Sequence, residues 1–221
     1  MAQAISGDDW AVRRQHMVDG QLRSCDVTDQ AVLAAFANIP REAFVAPAFA
    51  SLAYVDRDVP ALGAHDRVLL APMVLAKLIQ AANVQPGEKA LDVAGGSGYS
   101  ALVLASLGAH VVALESDEGA VAAAKVLLAK EKSVEIVAGD LADGAPGPFD
   151  IILVNGAFES SPEKLLDQLA PGGRLVGVDA SFNAAKAVFI ERIGGVTSRR
   201  VLFDATAVKL QAFRPTPSFA F

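Results

Sequence analysis

The run Leu91-Asp92-Val93-Ala94-Gly95-Gly96-Ser97-Gly98-Tyr99 joins a stretch that reads as a buried strand to one that reads as a helix. In a doubly wound α/β sheet such a junction lies at the carboxyl end of the strand, where ligands bind. Gly96 and Gly98 have no Cβ, so they permit a tight turn and let a ligand approach the backbone. Glu115 ends the next apolar run, at about the spacing at which an acid accepts hydrogen bonds from ribose hydroxyls. A glycine at a tight strand-to-helix turn and an acid before a helix are each ordinary structural choices. Together they point to a nucleoside cofactor.

Two nucleosides compete for that loop. Gly96-Ser97-Gly98-Tyr99-Ser100-Ala101 fits the G-x-G-x-x-A form used for dinucleotides such as NAD. Asp92 argues the other way, because a carboxylate just before the loop repels a pyrophosphate and attracts the ammonium or sulfonium of S-adenosylmethionine, directly or through water. Asp140, in Gly139-Asp140-Leu141 after the third strand, is placed to meet an adenine amino group while Leu141 packs on the ring. Capping a turn is the ordinary use of Asp after Gly. The charge pattern ranks S-adenosylmethionine first and NAD second, and it calls for no metal.

A parallel sheet is needed to bring these residues together. The segments KALDVA, GYSALVLASLGA, HVVALES, DEGAVAAAKVLLAK and VEIVAG alternate short apolar runs with helical periodicity, the sign of βαβ units. FDIILVN, a helix over residues 161–170 and GRLVGVD continue the series. AVFIERI and residues 199–211 follow without a long helix between them, which predicts an antiparallel pair at the sheet edge. The expected fold is α/β: a seven-stranded, mainly parallel, doubly wound Rossmann-like sheet over residues 71–221 with an N-terminal helical cap over residues 1–70. In the cap, helices are expected over residues 9–23 and 28–38, the second capped by Thr28 and ending before Pro40. Residues 54–70 show little periodicity, and Pro72 is well placed to open a helix reaching residue 82.

Composition narrows the partners. A chain of 221 residues that is 52% hydrophobic and 20% charged can bury a large core, which excludes a disordered protein. The net charge of -6, with no basic run, makes nucleic acid a poor partner. The apolar run over residues 68–84 is short for a membrane span and is interrupted by Pro72 and Lys77. The opening residues lack the charged-then-apolar order of a secretory signal, and the single Cys25, read as a packing residue, fits a reducing, cytoplasmic setting. The apolar composition is compatible with a homodimer.

Several segments carry a more specific likeness. Met17-Val18-Asp19-Gly20-Gln21-Leu22, Ile39-Pro40-Arg41-Glu42-Ala43-Phe44-Val45 and Ala53-Tyr54-Val55-Asp56 lie upstream of the loop. Gly96-Ser97-Gly98-Tyr99, Glu115, Gly139-Asp140 and Gln168-Leu169-Ala170-Pro171-Gly172-Gly173-Arg174-Leu175-Val176 follow in order and spacing. On these the chain resembles the protein-L-isoaspartate O-methyltransferase family over nearly its whole length. The resemblance implies methyl transfer from S-adenosylmethionine to the free carboxylate of an isoaspartyl residue in a protein or peptide substrate. It also implies cofactor contacts from Leu69, Asp92, Ala94, Gly95, Gly96, Gly98, Tyr99, Glu115, Asp140, Leu141 and Asn155.

The chain departs from the family pattern at informative places. Where the family has a Thr-Ile-Ser-x-Pro type of segment, this chain reads Val68-Leu69-Leu70-Ala71-Pro72, so the hydroxyl position falls on Leu70 and no conventional catalytic side chain remains there. Ala94 stands at a usual glycine, and if its φ stays negative the turn survives. Leu141 stands at another usual glycine, and Asn155-Gly156-Ala157 replaces a Thr-Ala-Ala type of segment, either as a polar contact or as an Asn-Gly turn. His65, Arg67 and Tyr99 are candidates to replace the missing donor, against the plainer readings of a solvated loop for the first two and a cover for the cofactor edge for the third. A relative that keeps the fold as a binding module without catalysis is the alternative function.

Overall fold

In the computed structural model, which describes residues 7–215, the N-terminal region holds α1 (Gly7–Met17), α2 (Gln30–Asn38), a two-stranded ladder of β1 (Val59–Pro60) and β2 (Val68–Leu69), and α3 (Pro72–Ala82). The helix expected over residues 9–23 is regular only to Met17, then widens into a π turn over Val18–Leu22 and tightens into a 3-10 turn over Arg23–Cys25. Gly20, a poor helix residue, sits in the π turn, and Asp26 ends the segment with a left-handed φ of 67°. Asp29, not Thr28, caps α2: its carboxylate accepts from the N–H groups of Ala31 (2.8 Å) and Val32 (3.1 Å). Pro72 opens α3 as expected, and two carboxylates stand at the positive end of its dipole. Asp58 accepts from Ala71 N–H (2.8 Å) and Asp56 from Met73 N–H (2.9 Å).

From Lys89 the chain alternates as predicted. β3 (Lys89–Val93), α4 (Tyr99–Ser106), β4 (His110–Glu115), α5 (Glu118–Leu127), β5 (Val134–Ala138), β6 (Phe149–Phe158), α6 (Glu163–Asp167) and β7 (Leu169–Asp179) are followed by the antiparallel pair β8 (Lys186–Ile193) and β9 (Val196–Asp204). The seven strands lie in the order β5-β4-β3-β6-β7-β8-β9, with β8 and β9 antiparallel to their neighbours. β3 is central. The chain leaves it toward β4 and returns on its other side at β6, so the switch in strand order, where ligands gather in such sheets, falls at the end of β3.

Apolar side chains form two buried clusters. One joins Met17, Phe36, Leu70, Leu78 and Tyr99 to Leu153 and Val176; the other gathers Ala94, Leu141, Phe149, Leu165 and Leu210. Among the described residues no helix is long and apolar enough to cross a membrane.

Three local expectations change. α6 covers only Glu163–Asp167, because β7 already begins at Leu169. The last strand ends at Asp204, and the following residues return across the carboxyl edge: Val208 C=O accepts from Ala157 N–H (2.8 Å) and Leu210 N–H donates to Ala157 C=O (2.9 Å). Asn155-Gly156 forms no turn but lies inside β6, where a Cβ on Gly156 would come 2.6 Å from Leu210 Cγ. Glycine is there for close packing.

Candidate active site

The loop after β3 is built from left-handed residues. Ala94, Gly96 and Gly98 have φ of 59°, 62° and 93°, and Ala94 N–H donates to Leu114 C=O (2.9 Å) while Gly98 N–H reaches back to Gly95 C=O (3.2 Å). The negative φ on which the Ala94 reading rested is therefore not what the turn adopts. An alanine held left-handed costs about 1 kcal/mol relative to glycine, and tight packing at zero exposure holds it there.

Asp92 supports this loop from behind. It is fully buried, with Oδ2 accepting from Ser100 Oγ (2.8 Å) and Oδ1 from Asn155 Nδ2 (2.7 Å). Asn155 Nδ2 also reaches Val93 C=O (3.1 Å), which ties β6 to the end of β3. Burial pushes the Asp92 carboxyl up to about 6, with the Ser100 and Asn155 hydrogen bonds opposing the rise.

Glu115 meets the loop from the front, and its oxygens are all engaged. Oε2 accepts from Gly96 N–H (3.1 Å); Oε1 accepts from Ser116 N–H (2.7 Å), Asp117 N–H (3.0 Å) and Arg67 Nε (2.8 Å). Arg67 also donates from Nη2 to Ser116 Oγ (2.7 Å) and from Nη1 to Asp66 C=O (3.2 Å). Arg67 belongs to a strap, residues 61–67, that lies over the glycine loop. Ala61 is fully buried, and a Cβ on Gly96 would come 2.8 Å from its methyl. His65 N–H donates to Asp117 Oδ2 (2.8 Å), which pins the middle of the strap to the start of α5.

The remaining candidate residues divide into buried supports and a partly open rim. Tyr99 is fully buried in edge-on contact with Phe36 and Phe44, under the guanidinium of Arg41 at 5.0 Å. Leu69 and Leu70 are buried, and the Leu70 carbonyl accepts from Arg41 Nη2 (2.8 Å). Leu141 packs in one cluster with Ala94 and Leu114. Asp140 is exposed, and its Oδ1 accepts from Ala142 N–H (2.8 Å), the turn-capping role weighed for it. Beside it lies a cavity of about 350 Å³ lined by Ser116, Glu118, Gly139, Asp140, Leu141 and Ala212. A second cavity, of about 460 Å³, borders Arg67 together with Pro60, His65, Val68, Val208 and Lys209. A third, of about 750 Å³, lies apart from the loop, beside the start of α3 and next to Asp56, Asp58 and Asp204.

Two residues at this site escaped sequence reasoning. Arg41 is completely buried and donates to Ala53 C=O (2.8 Å) as well as to Leu70, so it braces the chain on either side of the strap. Its place in Ile39-Pro40-Arg41 was the available signal. Asp58 had none, since its role depends on α3 folding beside it.

A sequence model of the protein-L-isoaspartate(D-aspartate) O-methyltransferase family matches residues 12–199. The chain belongs to this family. Relatives named protein-L-isoaspartate O-methyltransferase include one from Gloeobacter violaceus, 43% identical over 164 residues that span 72% of this chain and 79% of the relative. Another, from Koribacter versatilis, is 34% identical over 206 residues and 91% of each chain. Among solved structures, a Plasmodium falciparum protein described as this methyltransferase, in complex with S-adenosyl-L-homocysteine, superposes with a TM-score of 0.78 at 22% identity over 90% of this chain and 98% of its own. A further protein-L-isoaspartate O-methyltransferase gives 0.77 at 23% identity over 89% of this chain, which spans 65% of the longer neighbour. At these identities the two structures establish the shared fold.

The family's methyl donor is S-adenosylmethionine, and the residue types at the loop suit it. The left-handed glycines carry no side chains of their own, Glu115 stands at the strand end where a ribose acid sits in such sheets, and the cavity beside Asp140 and Leu141 has a carboxylate at its edge. The space directly above Gly96 is taken by Ala61 and Arg67.

Proposed function

We propose that this chain transfers a methyl group from S-adenosylmethionine to a carboxylate oxygen of an isoaspartyl residue in a protein or peptide. The observation that supports this most directly is the bond from Gly96 N–H to Glu115 Oε2, which sets the glycine turn against the ribose acid in a chain whose family match covers residues 12–199. In this reading Glu115 takes the ribose, Asp140 and Leu141 hold the adenine end, and the backbone of Ala94, Gly95, Gly96 and Gly98 with Leu69 shapes the methionine end. Asp92, Asn155 and Tyr99 act from behind the loop by fixing its shape.

An acceptor carboxylate, with a reference pKa of about 3.9, is ionised at neutral pH and needs no strong base. When bound, S-adenosylmethionine supplies a methyl carbon on a positive sulfur, and transfer to the carboxylate oxygen leaves a neutral thioether and a methyl ester. The chain's task is to align that oxygen and exclude water. Two observations favour a second reading, a relative that keeps the fold without turnover: Leu70 offers no donor at the hydroxyl position, and Arg67 already occupies Glu115.

Titration calorimetry with S-adenosylhomocysteine and assay on an isoaspartyl peptide separate the two. Binding in the micromolar range, about -8 kcal/mol, is expected with slow peptide methylation that Leu70→Ser raises. Binding with no turnover in either protein establishes the second reading, and heat with NAD alone removes both. The reading places the enzyme in a reducing, cytoplasmic compartment, with Cys25 as a free thiol in support. It assigns a protein substrate and no nucleic acid. A homodimer is part of the proposal, and sedimentation of the full chain tests it.

A further inference from the structure

We infer, on the methyltransferase reading above, that Arg67 binds the acceptor carboxylate and that Glu115 stores it until the cofactor site fills. Leu70 has no donor and is buried. Of the three side chains that the sequence offers in place of the lost hydroxyl, Tyr99 is enclosed beneath Arg41 with its Oη buried and without a hydrogen bond, and His65 projects into solvent beside Asp117. Arg67 alone of the three both touches the ribose acid and borders an open cavity, the one of about 460 Å³ next to Pro60 and Val68.

The arrangement makes release inexpensive. Without Arg67, Glu115 still accepts from the backbone N–H groups of Gly96, Ser116 and Asp117, so no buried carboxylate is left bare. A ribose hydroxyl arriving at Oε1 competes directly with Arg67 Nε. The displaced guanidinium is a planar fork whose geometry matches a carboxylate in two parallel hydrogen bonds, a contact that Leu70 cannot offer. Val68, the next residue, pairs with Pro60 in the β1–β2 ladder, so the base of the Arg67 side chain stays anchored while its head moves. Cofactor binding thereby frees the donor for the acceptor, and by linkage the acceptor tightens the cofactor equally.

Calorimetry on the full chain, with S-adenosylhomocysteine and a short isoaspartyl peptide, tests this without turnover. Wild type should bind the peptide about tenfold tighter when S-adenosylhomocysteine is present, the scale of a charged hydrogen bond. Arg67→Ala should move the two ligands in opposite directions: S-adenosylhomocysteine about tenfold tighter, and the peptide about tenfold weaker with no dependence on the cofactor product. Arg67→Lys, which keeps the charge but not the fork, should fall between on both axes. If Arg67→Ala weakens both ligands together, the residue is merely structural and the inference is overturned. Peptide affinity unchanged by Arg67→Ala removes the acceptor role, and S-adenosylhomocysteine affinity unchanged removes the storage role; each overturns the inference while the methyltransferase reading stands. If neither wild type nor Arg67→Ala binds S-adenosylhomocysteine although both unfold cooperatively at similar temperatures, the methyltransferase reading itself fails and takes the inference with it.

Discussion

The glycine loop after β3 and the strap facing it are held by different physics. The loop owes its shape to backbone conformation: three left-handed residues in five, one carboxylate behind and one in front, each bonded mainly by near neighbours or by the adjacent strand. The strap has one short ladder, Val59–Pro60 against Val68–Leu69, and backbone bonds to the segment before it, Leu62 N–H to Phe44 C=O (2.9 Å) and Ala46 N–H to Pro60 C=O (2.9 Å); its remaining anchors are side chains reaching from elsewhere. Arg41 grips its flanking carbonyls, Asp58 and Asp56 take the N–H groups beyond it, and Glu115 and Asp117 hold Arg67 and His65. A backbone-built region changes little when surface residues change, whereas a region held by side chains can be rewired by a few substitutions. That contrast fits a chain that keeps Gly96, Gly98 and Glu115 at the loop while its strap and the residues after it read Arg67 and Leu70.

The largest effect that would test this contrast comes from Arg41. Replacing it with Met leaves the carbonyls of Ala53 and Leu70 without their buried donor and should cost about 3 kcal/mol or more in urea unfolding. A loss under about 1 kcal/mol would mean that the strap does not depend on side-chain anchors.

Asp92 offers the next largest effect, on the loop side. Burial raises its pKa in the folded state to about 6, above its value in the unfolded chain, so the folded protein holds that proton more tightly. Well below pH 4 both states are protonated and the group has no influence; as pH rises from about 4 the unfolded state ionises first, and the cost to the folded state grows until it levels off above about pH 6 at up to roughly 3 kcal/mol. Wild type should therefore lose stability relative to Asp92→Asn between about pH 4 and 7, measured as unfolding midpoints across that range. Parallel pH curves for the two proteins would show that Ser100 and Asn155 fully compensate the burial.

The smallest effect sharpens the comparison at Ala94, the one loop position where residue type and φ disagree. Ala94→Gly should stabilise by at most about 0.5 kcal/mol once the added flexibility of the unfolded chain is subtracted from the relieved strain. A destabilised variant would assign the Ala94 methyl a packing role with Leu141 and Leu114 that outweighs its backbone strain.

Local patterns in the chain were enough for the sheet, the loop and the place of Glu115 at a strand end. Alternating apolar runs specify strands and helices, and Asp92, the glycines and Glu115 sit at strand ends that such patterns locate. Even the antiparallel closing pair was legible, because no helix-length segment separates β8 from β9. Only the tertiary structure decided where side chains distant in sequence meet. It turned Asp92 inward to Ser100 and Asn155, set Arg67 on Glu115 across 48 residues, enclosed Tyr99 under Arg41, and put Gly156 inside a strand against Leu210. Periodicity records which face of an element is buried, but the partner a polar head finds depends on the packing of segments that share no local pattern.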